Sequence, residues 1–133
     1  MADASPQPLE IKLHQKSRKM EIAFSDGNRF DLSYELLRVY SPSAEVRGHG
    51  PGQEVPQAGK RNVEIVSVEP SGNYAIQPSF SDGHSTGIYS WEYLYWLGEN
   101  REKLWQDYLE RLERAGASRE QGPAPFEARP KSK

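Results

Sequence analysis

The sequence predicts an α+β domain: a small antiparallel or mixed β-sheet of two hairpins plus an edge strand, packed with three short helices and followed by a disordered C-terminal tail. Three observations carry that expectation. Short stretches alternate apolar and polar residues, the period of a half-buried strand. The runs Ser25-Asp26-Gly27-Asn28 and Pro70-Ser71-Gly72-Asn73 separate them in pairs, and Gly and Asn tolerate the positive φ that tight hairpin turns need. Later in the chain, Leu104, Trp105, Tyr108, Leu109, Leu112 and Ala115 recur at the spacing of one helix face.

Element by element, residues 1–8 are small, polar and proline-containing and read as a flexible start. Leu9 to His14 and Met20 to Phe24 alternate as strands, and Arg29 to Leu32 returns after the first turn. Ser33 is placed to cap a short helix carrying Tyr34, Leu36, Leu37 and Val39, with Glu35 where the helix dipole favours an acid. Pro42 disfavours helical geometry at Ser41 and stops that helix. The Gly- and Pro-rich stretch Ser41 to Arg61 is longer than most connections inside a compact domain, which marks a functional or mobile loop. Val63 to Val68 and Tyr74 to Phe80 form the second hairpin, with Pro78 pointing to an edge or a bulge. Trp91 to Leu97 is a second helix closed by Gly98. Its aromatic run is mostly core, leaving one or two of Tyr93, Tyr95 and Trp96 as an interaction anchor. Asn100 caps a third helix that Gly116 ends. The domain therefore spans 9–116, and 117–133, with Pro123, Pro125 and Pro130 among mixed charges, reads as a disordered tail.

One block recurs. Phe80-Ser81-Asp82-Gly83-His84 matches Phe24-Ser25-Asp26-Gly27-Asn28, and Ser90-Trp91-Glu92-Tyr93-Leu94 matches Ser33-Tyr34-Glu35-Leu36-Leu37, with one extra residue between the blocks. Either a hairpin–cap–helix unit is duplicated, or one local solution for turn and cap is used twice.

Composition excludes several functions. A chain of 133 residues buries a core without disulfides or metals. It has no Cys, which removes disulfides, thiol nucleophiles, Cys-ligated zinc and iron–sulfur ligation. The formal net charge is -2, so nothing draws the whole domain to nucleic acid, and none is expected as a partner. No apolar run approaches the roughly 18 residues that span a bilayer. Met1 to Pro6 lacks the basic and apolar regions of a signal peptide, so a cytoplasmic location away from membranes is expected.

Leu37-Arg38, the run Ser41-Pro42-Ser43-Ala44-Glu45-Val46-Arg47-Gly48-His49-Gly50, Asp82-Gly83-His84, Trp91 and Trp96-Leu97 together resemble the N-terminal domain of gamma-butyrobetaine hydroxylase and its relatives. The likeness covers roughly residues 9–115. It extends to stand-alone bacterial proteins built from that domain, and to the copy attached to some Mrp-type iron–sulfur carrier ATPases. In hydroxylase members the resemblance implies zinc held by Cys-x-Cys-x-x-Cys after the first helix and a His from the second hairpin. Here those positions read Ser41, Ser43, Val46 and His84, a vestigial set without the thiolates that supply most of a structural site's affinity. The oxygenase chemistry belongs to a separate, larger domain with a His-x-Asp…His iron site. None of His14, His49 and His84 is followed by Asp two positions on, so no 2-His-1-carboxylate triad can be written from local spacing.

Two further groups are candidates. Arg38, Arg47, His49, Lys60 and Arg61 can gather around the loop as a patch for an anion or an acidic partner, against the alternative that Glu45, Glu54 and Glu64 neutralise them. His84 and His49, with Glu45 or Asp82, make a weak zinc or iron site if the loop folds back over the second hairpin, although a His beside a turn is more often a hydrogen-bonding residue. A phosphate-binding reading of Gly48 to Gly52 and Gly59-Lys60-Arg61 fails, because Arg61 stands where a P-loop needs a hydroxyl and the spacer is wrong. No G-x-S-x-G supports serine catalysis. The expected function is a non-catalytic binding or adaptor module without a cofactor, meeting a protein partner through the 41–61 loop and the His84 turn. The alternatives are a small metal-binding protein linked to iron–sulfur or non-haem iron systems, and an enzyme on an unknown small molecule.

Overall fold

Alternation becomes strand pairing in the computed structural model, which describes residues 6–47 and 57–120, except for the side chains of Glu45 and Arg47. β1 (Pro8–His14), β2 (Lys19–Phe24) and β3 (Arg29–Ser33) form one antiparallel sheet in that order. β4 (Ile65–Ser71), β5 (Ala75–Phe80) and β6 (Tyr89–Ser90) form a second. Among the described residues four helices join them: α1 (Tyr34–Val39), the single turn α2 (Ala44–Arg47), α3 (Trp91–Glu99) and α4 (Arg101–Arg114). The α+β class is as expected, but the strands make two three-stranded sheets rather than one. β6, two residues long, is too short to show a period, and α2 lies in the stretch read as loop.

Inward residues of both sheets share one core. Met20, Ile22, Phe24, Phe30 and Leu32 meet Ile65, Ile76, Phe80 and Tyr89, with Leu37, Leu94, Leu97 and Leu104 from the helices. Each such side chain contributes about 1.5–3 kcal/mol on burial. Around Trp96, by contrast, α3 is open: that ring is 45% exposed and stacks on Tyr93.

The recurrence in sequence is also a recurrence in structure. Phe24 N–H donates to Asn28 O and Phe80 N–H to His84 O, each at 2.8 Å. Gly27 and Gly83 take φ of 92° and 93°, which their lack of a side chain permits. Ser33 Oγ caps α1 by accepting from Leu36 N–H at 3.0 Å, and Ser90 Oγ caps α3 from Tyr93 N–H at 3.1 Å. In each sheet the first strand slips register at one residue, Leu9 in β1 and Val66 in β4, and both are exposed, at 72% and 65%.

Contacts between the copies correspond too. Tyr95 of α3 donates to Asp26 in the first turn, at 2.5 Å, while Arg38 of α1 donates to Asp82 in the second, at 2.9 Å. Counted from the two capping serines, Tyr95 and Arg38 are equivalent positions. So are the partners of another exchanged pair: Gly98 packs against the Phe30 ring and Gly87 against Ser41. Convergence of turns and caps alone does not require such reciprocal contacts.

Several local expectations are corrected. Gly98 lies inside α3 rather than after it, and is glycine because a Cβ there would overlap the Phe30 ring. Asn100 holds the N-cap position of α4 as expected, but its side chain does not cap that helix; its Nδ2 donates back to Trp96 O. Pro78 is on the central strand, though beyond the two residues where β6 pairs, so its missing N–H faces no third strand. Residues 117–120, expected to belong to a disordered tail, instead pack back on the domain. Residues 121–133 lie outside the described residues.

Gly98→Ala is expected to destabilise the domain by about 1–3 kcal/mol through overpacking on Phe30. Urea unfolding measures it, and the cost should shrink in a Phe30→Leu background.

Candidate functional site

α1 and the second turn build the site from opposite sides. The capped helix ends at Tyr40, and Ser41, Pro42 and Ser43 follow it inward. The turn Phe80–His84 projects His84 toward them; this imidazole is 9% exposed. Ser41 Oγ and His84 Nε2 share a hydrogen bond of 2.8 Å, and Ser43 Oγ lies 3.4 Å from the same nitrogen. Val46 of α2 is buried nearby in sequence, held by Val46 N–H to Ser43 O. Two of the three vestigial positions therefore meet His84, while Val46 supplies hydrocarbon.

This donor set does not fit zinc. Structural zinc takes thiolate, imidazole or carboxylate, whereas Ser41 and Ser43 offer neutral hydroxyls and Val46 offers none. Among the described residues, no three His, Asp or Glu side chains come together as a metal centre. His49 lies outside the described residues, as does the Glu45 side chain. Nor is Ser41 with His84 a catalytic pair open to substrate, since Ser41 is 1% exposed. His14 belongs elsewhere, bonded to Glu21.

Asp82 is the electrostatic junction. Its Oδ1 accepts the His84 backbone N–H at 3.1 Å, and its Oδ2 accepts Arg38 Nε at 2.9 Å and Lys60 Nζ at 2.6 Å. Burial alone would raise its pKa, but the bonds from Lys60, the His84 N–H and Arg38 outweigh that and hold it at about 2. Arg38, itself buried, also donates to Gln57 Oε1 at 2.9 Å. Arg61 pairs with Glu120, and both are half-exposed. Of the expected cationic patch, Arg38 and Lys60 thus converge on one carboxylate and Arg61 sits beside them across an open groove of about 530 Å³. The Arg47 side chain and His49 lie outside the described residues. Glu64, expected to neutralise the patch, instead lies 3.5 Å from Arg18.

Sequence reasoning placed His84 and the serines but missed Asp82 as the junction. A signal existed, since the same Asp recurs in both turns. It also missed Glu35, 5% exposed, which accepts from Tyr108 at 2.6 Å and from both Nε and Nη2 of Arg119 at 2.8 and 2.7 Å. No local pattern links positions that far apart.

Fold and site together define a small two-unit α+β domain with a buried Ser–His cluster and an ion-paired turn, and with no metal centre assembled among its described residues. The chain belongs to the gamma-butyrobetaine hydroxylase-like N-terminal family, whose model matches residues 11–95. It is similar to a protein solved by solution NMR at 51% identity and TM-score 0.76, covering 91% of this chain and 92% of that one. A second NMR structure is similar at 44% identity and TM-score 0.75, covering 92% and 96%. A crystal structure of a protein with unknown function from the DUF971 family, from Acidithiobacillus ferrooxidans ATCC 23270, matches at 44% identity and TM-score 0.59, over 69% of this chain and 92% of that one. No curated protein matches. No helix among the described residues is long and apolar enough to cross a membrane.

Because the Asp82 pKa is depressed in the fold, its contribution is complete above the ordinary value of 3.8 and is lost as pH falls toward about 2. Asp82→Asn should cost about 1–3 kcal/mol at neutral pH, since it strips Arg38 of its charged acceptor. The gap between variant and wild type should narrow on acidification, which urea unfolding at the two pH extremes measures.

Proposed function

We propose that this domain is a non-catalytic binding module that meets a protein partner through the His84 turn and the segment between Ser41 and Arg61. The supporting observation is the difference between two units otherwise built alike. In the first, the turn ends in Asn28 and is closed by the neutral Tyr95, which accepts from Asn28 Nδ2 at 2.8 Å. In the second, the equivalent positions are His84 and Arg38, and the inserted segment brings Lys60 and Arg61 to the same edge. Packing needs are shared between the units, so chemistry confined to one of them is attributable to something outside the fold. Two cations on a single carboxylate leave positive charge at that edge, which suits an acidic surface on the partner. An origin of that partner in iron–sulfur or iron-enzyme systems is the narrower form of the proposal.

A metal-handling role is the alternative. It keeps one imidazole donor, that of His84, among the described residues of the site. Titration with zinc and iron(II), followed by amide and imidazole chemical shifts, separates the two. Saturable shifts confined to His84 and residues 41–47 would put the metal reading first, and the binding-module reading expects none.

Arg47→Ala combined with His49→Ala is expected to leave the melting temperature unchanged and abolish partner capture from a lysate of the source cells. Capture that survives the substitutions would mean the surface is misassigned.

A further inference from the structure

α4 ends in a chain reversal. Gly116, at φ 67°, donates to Glu113 O, and Ala117 N–H donates to Leu112 O at 2.9 Å, the paired bonds of a Schellman cap. The reversal sends residues 117–120 back across the return limb of the Ser41–Arg61 segment. Gly59 N–H donates to Ser118 O at 3.0 Å and Arg61 N–H to Arg119 O at 3.1 Å. Arg119 is the anchor. Its guanidinium makes the two-pronged bond to buried Glu35 and lies over the Trp105 ring, 4.9 Å from the centroid. At the outer end Glu120 pairs with Arg61, both half in solvent.

We propose that residues 117–120 are a latch on the candidate surface: pinned at Glu35, they fix residues 59–61 and so keep Lys60 against Asp82. This rests on the reading of the His84 turn as the working surface, and it assigns that surface a control element beyond the family-matched region 11–95. The two ion pairs divide the work. Glu35–Arg119 is buried and bidentate, the geometry in which a guanidinium holds a carboxylate best. Arg61–Glu120 is exposed, and pairs of that kind contribute little in water. The outer end therefore yields first, and the return limb is released only when Arg119 leaves Glu35. A partner with a carboxylate for Arg61 competes with Glu120 alone and finds the limb still in place.

Hydrogen exchange on the full chain tests this. Arg119→Ala with Glu35→Gln removes the anchor without stranding a buried charge, and the Gln can still accept from Tyr108. Exchange at the Gly59 and Arg61 amides is expected to quicken by about tenfold or more, while amides of β2 and β5 such as Ile22 and Ile76 stay as they were. Glu120→Gln alone is expected to change neither set by more than about twofold. Unchanged exchange at Gly59 and Arg61 overturns the latch, and so does equal quickening of the β2 and β5 amides, which would make these residues an ordinary part of the core. No partner enters the readout, so failure of partner capture and failure of the latch are told apart.

Discussion

A sheet of three short strands has one apolar face and nothing of its own to cover it. That constraint organises the molecule. Each unit supplies a sheet and a capped helix, and the inward residues of both meet in one core. Neither unit buries Met20, Ile22 and Phe24, or Ile76, Phe80 and Tyr89, without the other. The reciprocal contacts follow from this shared burial. Each turn receives a side chain from the other unit's helix, and at two equivalent junctions the second unit places a glycine against a side chain of the first, Gly98 on Phe30 and Gly87 on Ser41.

The site is a variation on that scheme rather than an addition to it. The turn that carries Asp82 has the same backbone bonds as the turn that carries Asp26, so the frame is indifferent to what the side chains do. In one turn the carboxylate takes a phenol and an amide; in the other it takes a guanidinium and an ammonium. The same geometry thus holds a neutral closure at one end of the domain and a charged one at the other. The Ser41–His84 pair lies under the charged end, and it satisfies in the interior two polar groups that would otherwise be costly to bury.

The elements with a period of their own were legible in the sequence: β1, β2, β3 and β5 from alternation, α1 and α3 from their capping serines, and α4 from its apolar stripe. What was not legible depends on neighbours distant in sequence. Gly98 followed by Glu99 and Asn100 reads as a helix end, and only the Phe30 ring explains why the helix continues through it. β6 exists because β5 offers it an edge at Ala75 and Ile76. In the site, His84, Ser41 and Ser43 were grouped through a family likeness, and their meeting is visible in the fold. In the sequence Arg38 looks like a surface cation, yet it is buried on Asp82; Glu35 looks like a helix-dipole acid, and it is also the counter-ion of Arg119. Ion pairs across the chain have no spacing rule, so composition and periodicity are silent about them.

The register slips at Leu9 and Val66 bear on how copies of this protein behave toward each other at high concentration. β1 and β4 are outer strands, each paired on one side within its sheet. A straight outer strand is a template on which another chain can add and fibres can grow. A bulge at the start of each strand bends it and breaks the even ladder of donors and acceptors. Pro8 and Pro70 remove further donors from the same two strands. The exposed Leu9 and Val66 side chains thus stand where sheet-to-sheet polymerisation would begin, on backbone shaped to refuse it.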